Sequence, residues 1–146
     1  MLKLFSETAQ YAIQTMLHLA CNPEKKTMVS AIAEEEGIPS QYLGKIVQTL
    51  SKHSLIKTTR GRGGGISLNK KPKNIKIVDI LTAIDGPPQN PEICVFGLDE
   101  CLDAAPCPVH SEWKSLKAEI KNKLINKNLL SLSKELKKKH KIMNMK

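Results

Sequence analysis

Through the first fifty residues the apolar positions fall at helical spacing. Ala9, Ala12, Ile13, Met16, Leu17 and Ala20 follow steps of three and four, which predicts an amphipathic helix over 6–21. Ser6 suits its cap, and Glu7 suits the positive end of its dipole. Ile32 and Ala33 mark a short helix over 30–36 that stops at Gly37. Leu43, Ile46, Val47 and Leu50, at i, i+3, i+4 and i+7, mark a third that opens at Pro39 and Ser40. The rhythm then shortens. Strands are expected at 55–59 and 66–68, and Arg60-Gly-Arg-Gly-Gly-Gly65 between them reads as a hairpin turn by its glycines. Ile77, Ile80, Leu81 and Ile84 predict a fourth helix ending at Gly86.

The pattern breaks over residues 87–108, which hold five of the eight prolines, three of the four cysteines, four acids and no lysine or arginine. A loop of this length without elements of its own calls for a functional reason. Beyond it, Val109, Trp113, Leu116, Ile120 and Leu124 predict a long helix over 109–125 with one apolar stripe. Asn126 to Asn128 end it, Ser131 is the expected cap of a last helix carrying Leu132 and Leu136, and the lysine-rich tail is expected to fray. Three regions follow: four helices with a hairpin at 1–86, a cysteine loop at 87–108, and a long helix with a C-terminal helix and tail at 109–146.

The chain has 146 residues, 40% of them apolar, with five aromatics, so its core must be mostly aliphatic. No apolar run approaches the roughly 18–20 residues that a membrane span requires, and the N-terminal residues lack the features of a secretion signal. A cytoplasmic protein with no membrane partner is the expectation. In that compartment cysteines serve as thiols or metal ligands more often than as disulfides. The net charge is +9, and its position is informative. Residues 37–76 carry Lys45, Lys52, Lys57, Arg60, Arg62, Lys70, Lys71, Lys73 and Lys76 and no acid; outside them the two signs balance. A polyanion is the natural partner of such a segment.

Three helices followed by a hairpin describe a mainly α fold with a small β-hairpin, the winged helix-turn-helix, with the long C-terminal helix added to it. In that arrangement the third helix enters the major groove of double-stranded DNA and the hairpin lies against the backbone or minor groove. The outer face of the third helix offers Ser40, Gln41, Tyr42, Lys45 and Gln48. Glutamine can read adenine, lysine can reach guanine, and the hydroxyls can hold phosphates. Arg60 and Arg62, on a glycine-rich tip, suit phosphate or minor-groove contact. A nucleotide-phosphate loop would need a helix directly after the glycines, where Ile66-Ser-Leu68 reads as strand.

Cys94, Cys101 and Cys107 are separated by six and five residues, and His110 follows three positions later. Three thiolates and an imidazole form a four-ligand set suited to an iron–sulfur cluster or zinc, although the spacing is too wide for the paired cysteines of zinc ribbons. Free thiols that oxidise, an ordinary helix-terminal histidine at 110, and a small iron–sulfur electron carrier or thiol oxidoreductase stand as alternatives. Cys21 reads as a small buried apolar residue, His18 as a packing or surface residue, and His53 and His140 carry no signal. No Ser/His/Asp or paired-carboxylate arrangement is recognisable, so no enzyme is expected.

Tyr11-Ala-Ile13, Ala31-Ile-Ala33, Pro39-Ser-Gln-Tyr-Leu43, Leu50, the Arg60-Gly-x-Gly-Gly-Gly65 wing and Asp79-Ile80 together resemble the BadM/Rrf2-type transcription regulators. The likeness runs from Leu2 to about Leu136, and the wing and the three-cysteine loop are its most specific parts. It implies a homodimer that binds imperfect inverted repeats, with 109–125 as the dimerisation helix. It also implies a cluster loop like those of the IscR and NsrR branches. In the IscR-like pattern the fourth ligand is a histidine three residues after the third cysteine, which matches His110. In the NsrR-like pattern it is a carboxylate on the first helix, where this chain has Gln10. The resemblance thus implies a [2Fe-2S] cluster on Cys94, Cys101, Cys107 and His110 rather than a [4Fe-4S] one. The alternative it leaves is a cluster-free regulator that senses through thiol oxidation or a protein partner. The residue after Leu43, often Glu in cluster-regulator relatives, is Gly44 here, so no operator preference carries over.

Overall fold

The computed structural model describes residues 3–87, 94–98 and 100–144. Its elements run α1 (Glu7–Cys21), α2 (Val29–Glu36), α3 (Ser40–Lys52), β1 (Ile56–Thr59), β2 (Gly65–Leu68), α4 (Ile77–Asp85), α5 (His110–Ile120) and α6 (Leu129–Asn144). A 3-10 turn, Pro72–Asn74, precedes α4, and a π-helical turn, Lys121–Ile125, continues α5.

Local chemistry sets several of the boundaries of the first four helices. Ser6 Oγ accepts the Ala9 N–H at 3.1 Å, which satisfies one of the donors left open at the start of α1. Gly37 stops α2, and Ile38 and Pro39 turn the chain into α3. That third helix buries Leu43, Ile46, Val47 and Leu50, the four residues its periodicity singles out. Asp79 opens α4 by accepting the Lys76 N–H at 2.8 Å. α1 also buries Thr15, whose hydroxyl donates to the Tyr11 carbonyl at 2.8 Å and so is not stranded in the core.

The wing is a two-stranded antiparallel ribbon paired from Ile56↔Leu68 to Thr59↔Gly65. A lone ribbon is marginal in water, and this one is held on its other edge as well. Ile66 and Thr27 exchange backbone hydrogen bonds of 2.8 and 3.0 Å, and the buried Ile66 side chain enters the core. Gly65 is required at this junction: a Cβ there would lie 2.7 Å from the Thr27 carbonyl oxygen, and its φ is +143°.

The C-terminal third divides. α6 folds back against α1, with Leu129 fully buried in the common core and Leu132 packed beside it. Backbone bonds from Leu129 to the Ile75 carbonyl (2.8 Å) and from Ile77 to the Lys127 carbonyl (3.1 Å) fasten its start. Two expectations are corrected here. Asn128, not Ser131, caps this helix, since its Oδ1 accepts the Ser131 N–H at 3.0 Å. The lysine-rich tail is helical as far as Asn144, favoured by strong helix formers and a Glu135–Lys138 pair at 3.1 Å. α5, in contrast, buries none of its residues. Among the described residues no helix is long and apolar enough to cross a membrane. In the segment over 87–108, residues 88–93 and Asp99 lie outside the described residues. Its described part has one isolated bridge, Leu102↔Ala105, and no helix or strand.

Candidate nucleic-acid interface and cysteine site

Because α3 buries one face, its periodicity turns Ser40, Gln41, Lys45 and Gln48 outward, and all four are exposed. Gln41, Lys45 and Gln48 are spaced four and three apart, so they share one stripe of the helix. Arg60 and Arg62 are exposed at the hairpin tip. All nine basic residues between 37 and 76 are exposed, and among the described residues none is paired with an acid. An unneutralised cationic surface next to an acid-free helix face is what phosphate binding requires.

Tyr42 departs from this set. Its side chain is half-buried, its hydroxyl is hydrogen-bonded to Thr8 Oγ1, and its ring meets Tyr11 edge-on with centroids 5.6 Å apart. It faces α1 rather than the outer surface, because position 42 lies at the border between the buried and open sides of α3.

The four sulfur and nitrogen donors predicted to form one set lie together, but as two pairs. Cys101 Sγ is 3.1 Å from His110 Nδ1. Cys94 is buried, and its thiol lies within hydrogen-bonding reach of Cys107. All three cysteines line one hollow of about 540 Å3, with Leu98, Leu102 and Pro106 in its wall. The Cys94 thiol is held below its ordinary pKa, chiefly by the Phe96 backbone N–H, and then by the Leu98 and Gly97 N–H groups and Cys107 against the opposing effect of burial. That favours the thiolate, the form that binds metals.

Sequence reasoning missed Asp103. Its carboxylate accepts from His110 Nε2 at 2.8 Å and is clamped by Lys114 Nζ at 2.9 and 3.1 Å. His110 first, then Lys114, lower its pKa below the ordinary carboxylate value. A carboxylate can only accept, so Nε2 donates to Asp103, and in the neutral ring this leaves the Nδ1 lone pair facing Cys101. A carboxylate behind a ligand histidine fixes its tautomer and orientation, as is common at metal sites. No sequence pattern marks Asp103, since a loop residue seven positions before a histidine has no fixed geometry.

The remaining candidates are structural. His18 Nδ1 lies 3.0 Å from Glu36 Oε1, joining α1 to the end of α2. Cys21 is half-buried rather than enclosed, with Sγ 4.0 Å from the Ser133 carbonyl oxygen, and burial raises its pKa.

A helix-turn-helix followed by an exposed cationic wing defines a winged-helix DNA-binding protein. The chain belongs to the Rrf2 family, described as an iron-dependent transcriptional regulator, which it matches over residues 5–135. It is 35% identical over 121 residues to an HTH-type transcriptional regulator of Aquifex aeolicus, covering 82% of this chain and 83% of that protein. It is 31% identical over 124 residues to the HTH-type transcriptional regulator IscR of Sodalis glossinidius, covering 84% and 74%. Among solved structures it is similar to CymR, the global cysteine regulator of B. subtilis, with a TM-score of 0.75, 27% identity, and 92% and 98% of the two chains covered. IscR of T. potens gives a TM-score of 0.70, 28% identity, and coverage of 92% and 88%. The protein is a DNA-binding transcriptional regulator and not an enzyme.

Proposed function

We propose that this regulator works as a homodimer on inverted-repeat DNA and that a [2Fe-2S] cluster held by Cys94, Cys101, Cys107 and His110 sets its affinity. The observation that carries the cluster reading is the two-and-two pairing of the donors. Each iron of a two-iron unit takes two protein ligands, and Cys94 with Cys107 and Cys101 with His110 supply two such pairs around one hollow. A single zinc ion needs its donors gathered on one point, and among the described residues no three His, Cys, Asp or Glu side chains are so arranged. When bound, a cluster supplies a centre whose charge changes with its oxidation state. The protein's own part is to present His110 through Nδ1, with Asp103 holding the far side of the ring, and to stabilise the Cys94 thiolate with backbone N–H groups.

Ser40, Gln41, Lys45 and Gln48 form the reading face in this proposal, with Arg60 and Arg62 on the backbone or minor groove. The dimer rests on α5. An isolated helix of 11 residues is marginal in water, and this one buries nothing while Leu116 stands 53% exposed on its apolar stripe. A second copy of that stripe supplies the missing cover. The three cysteines then lie between α4 and α5, where binding a cluster would alter the spacing of two reading helices, which must match half-sites about one turn apart.

A second reading draws on the same geometry. The Cys94 and Cys107 thiols line one hollow, and an oxidant such as hydrogen peroxide that takes two electrons and two protons from them joins the sulfurs and leaves two waters. Iron and sulfide analysis separates the two. Anaerobically purified wild type is expected to be coloured, with about two iron and two acid-labile sulfide per chain, and Cys101→Ser to lose both. Iron-free wild type that still loses DNA affinity on oxidation assigns the thiol mechanism instead.

A further inference from the structure

Tyr42 stands on the reading helix between Gln41 and Lys45, yet its hydroxyl and the edge of its ring both meet the start of α1. Its hydroxyl bonds Thr8 Oγ1, and its ring abuts Tyr11, which donates to Glu7 Oε1 at 3.2 Å. The same turn of α1 is gripped from the other side. Ser6 Oγ donates to both carboxylate oxygens of Asp85, at 3.0 and 3.2 Å, while it accepts the Ala9 N–H. Asp85 is the last residue of α4, and the chain runs from it into the cysteine segment. One turn of α1 is therefore bonded at once to the start of the reading helix and to the end of α4.

We infer that Tyr42 is a positioning residue of DNA recognition: through Thr8 it fixes how α3 sits on α1, and Asp85, through Ser6, ties that seat to the end of α4. The inference rests on α3 being the reading helix and does not require a cluster. Side chains read base edges through short, directional bonds, whereas phosphate attraction tolerates small displacements of the helix. A loosened seat therefore costs sequence discrimination and leaves non-specific affinity alone. A residue that merely stabilised the fold would not separate the two.

The test uses the full chain and two duplexes, one enriched from a random pool by the wild type and the other a scramble of equal composition, both read by fluorescence anisotropy. Thr8→Val, which keeps the shape and removes the hydroxyl, is expected to weaken binding to the enriched duplex about fivefold, or about 1 kcal/mol. Its affinity for the scramble stays at the wild-type value. Tyr42→Phe matches it, the double variant loses no more than either single one, and Thr8→Ser restores the wild type. Asp85→Ala lowers the same discrimination, and its effect does not add to that of Thr8→Val. Gln41→Ala is the control for the reading helix: if it leaves discrimination intact, α3 is not the reader. If Gln41→Ala loses discrimination while Thr8→Val and Tyr42→Phe keep it, the anchor is refuted. A parallel fall on both duplexes also refutes it, and Asp85→Ala at wild-type discrimination removes the α4 half.

Discussion

One crossing of two backbones helps fasten the wing to the body, and a methyl group at Gly65 tests how firmly. Ile66 exchanges hydrogen bonds of 2.8 and 3.0 Å with Thr27, which lays the Thr27 peptide over Gly65. A Cβ at Gly65 would stand 2.7 Å from the Thr27 oxygen and 2.8 Å from its carbonyl carbon. Both are backbone atoms that cannot rotate away, so Gly65→Ala must open the bridge. Losing two hydrogen bonds at about 0.5–1.5 kcal/mol each, with backbone strain of about 1–3 kcal/mol at φ +143°, gives a cost of about 2–6 kcal/mol. Gly63 is the control. Its φ is +71°, but a Cβ there meets nothing within 4 Å, so Gly63→Ala carries the conformational cost alone, about 1–2 kcal/mol. Equilibrium urea unfolding measures both. A Gly65→Ala cost no larger than that of Gly63→Ala would show that the Thr27 crossing does not hold the wing.

Removing Arg60 and Arg62 together (both to Ala) takes up to four phosphate contacts from a dimer. The slope of log affinity against log salt is then expected to flatten by about 2–4, and an unchanged slope would place the wing away from the phosphates. Leu116→Glu puts a charge on the exposed stripe of α5 and is expected to yield monomers in sedimentation; a dimer of undiminished stability would assign the interface elsewhere. The Tyr11 pKa is raised above its ordinary 10.0, first by its hydrogen bond to Glu7 and then by that carboxylate's charge. The folded state thus holds this proton more tightly than the unfolded one. The stability difference between wild type and Tyr11→Phe should accordingly be constant below pH 10 and vanish as pH rises through the raised value. A difference that persists after tyrosine ionisation, followed by ultraviolet absorbance, would break the link to Glu7.

The winged helix was legible because its signals are local. Leu43, Ile46, Val47 and Leu50 are spaced as one helix face and are buried together, and the glycines after Arg60 form the turn they imply. The helix after the cysteine segment was legible from its stripe, though its last turn widens to a π turn at Lys121–Ile125. Other features depend on partners distant in sequence. Tyr42 has an amphipathic side chain at the edge of a helix face, and Thr8, 34 residues away, together with the Tyr11 ring determines which way it turns. Thr15 fits the core because its hydroxyl bonds within its own helix. The α6 cap was misplaced by three residues since asparagine and serine are both good caps, and the buried Leu129 decides between them. For the candidate site, spacing and residue type single out Cys94, Cys101, Cys107 and His110, while their arrangement as two pairs and the bond from His110 to Asp103 depend on how the loop folds.

Control of the grip on DNA by the cysteine loop is the central proposal. The direct measurement is the affinity of anaerobic, iron- and sulfide-loaded protein for its enriched duplex, compared with the same protein after chelator treatment and with Cys101→Ser carried through both procedures. Wild type is expected to differ between the two states by about tenfold or more, and Cys101→Ser to show one affinity throughout. Equal affinities for loaded and stripped wild type, or a Cys101→Ser variant that keeps the full difference, would contradict it.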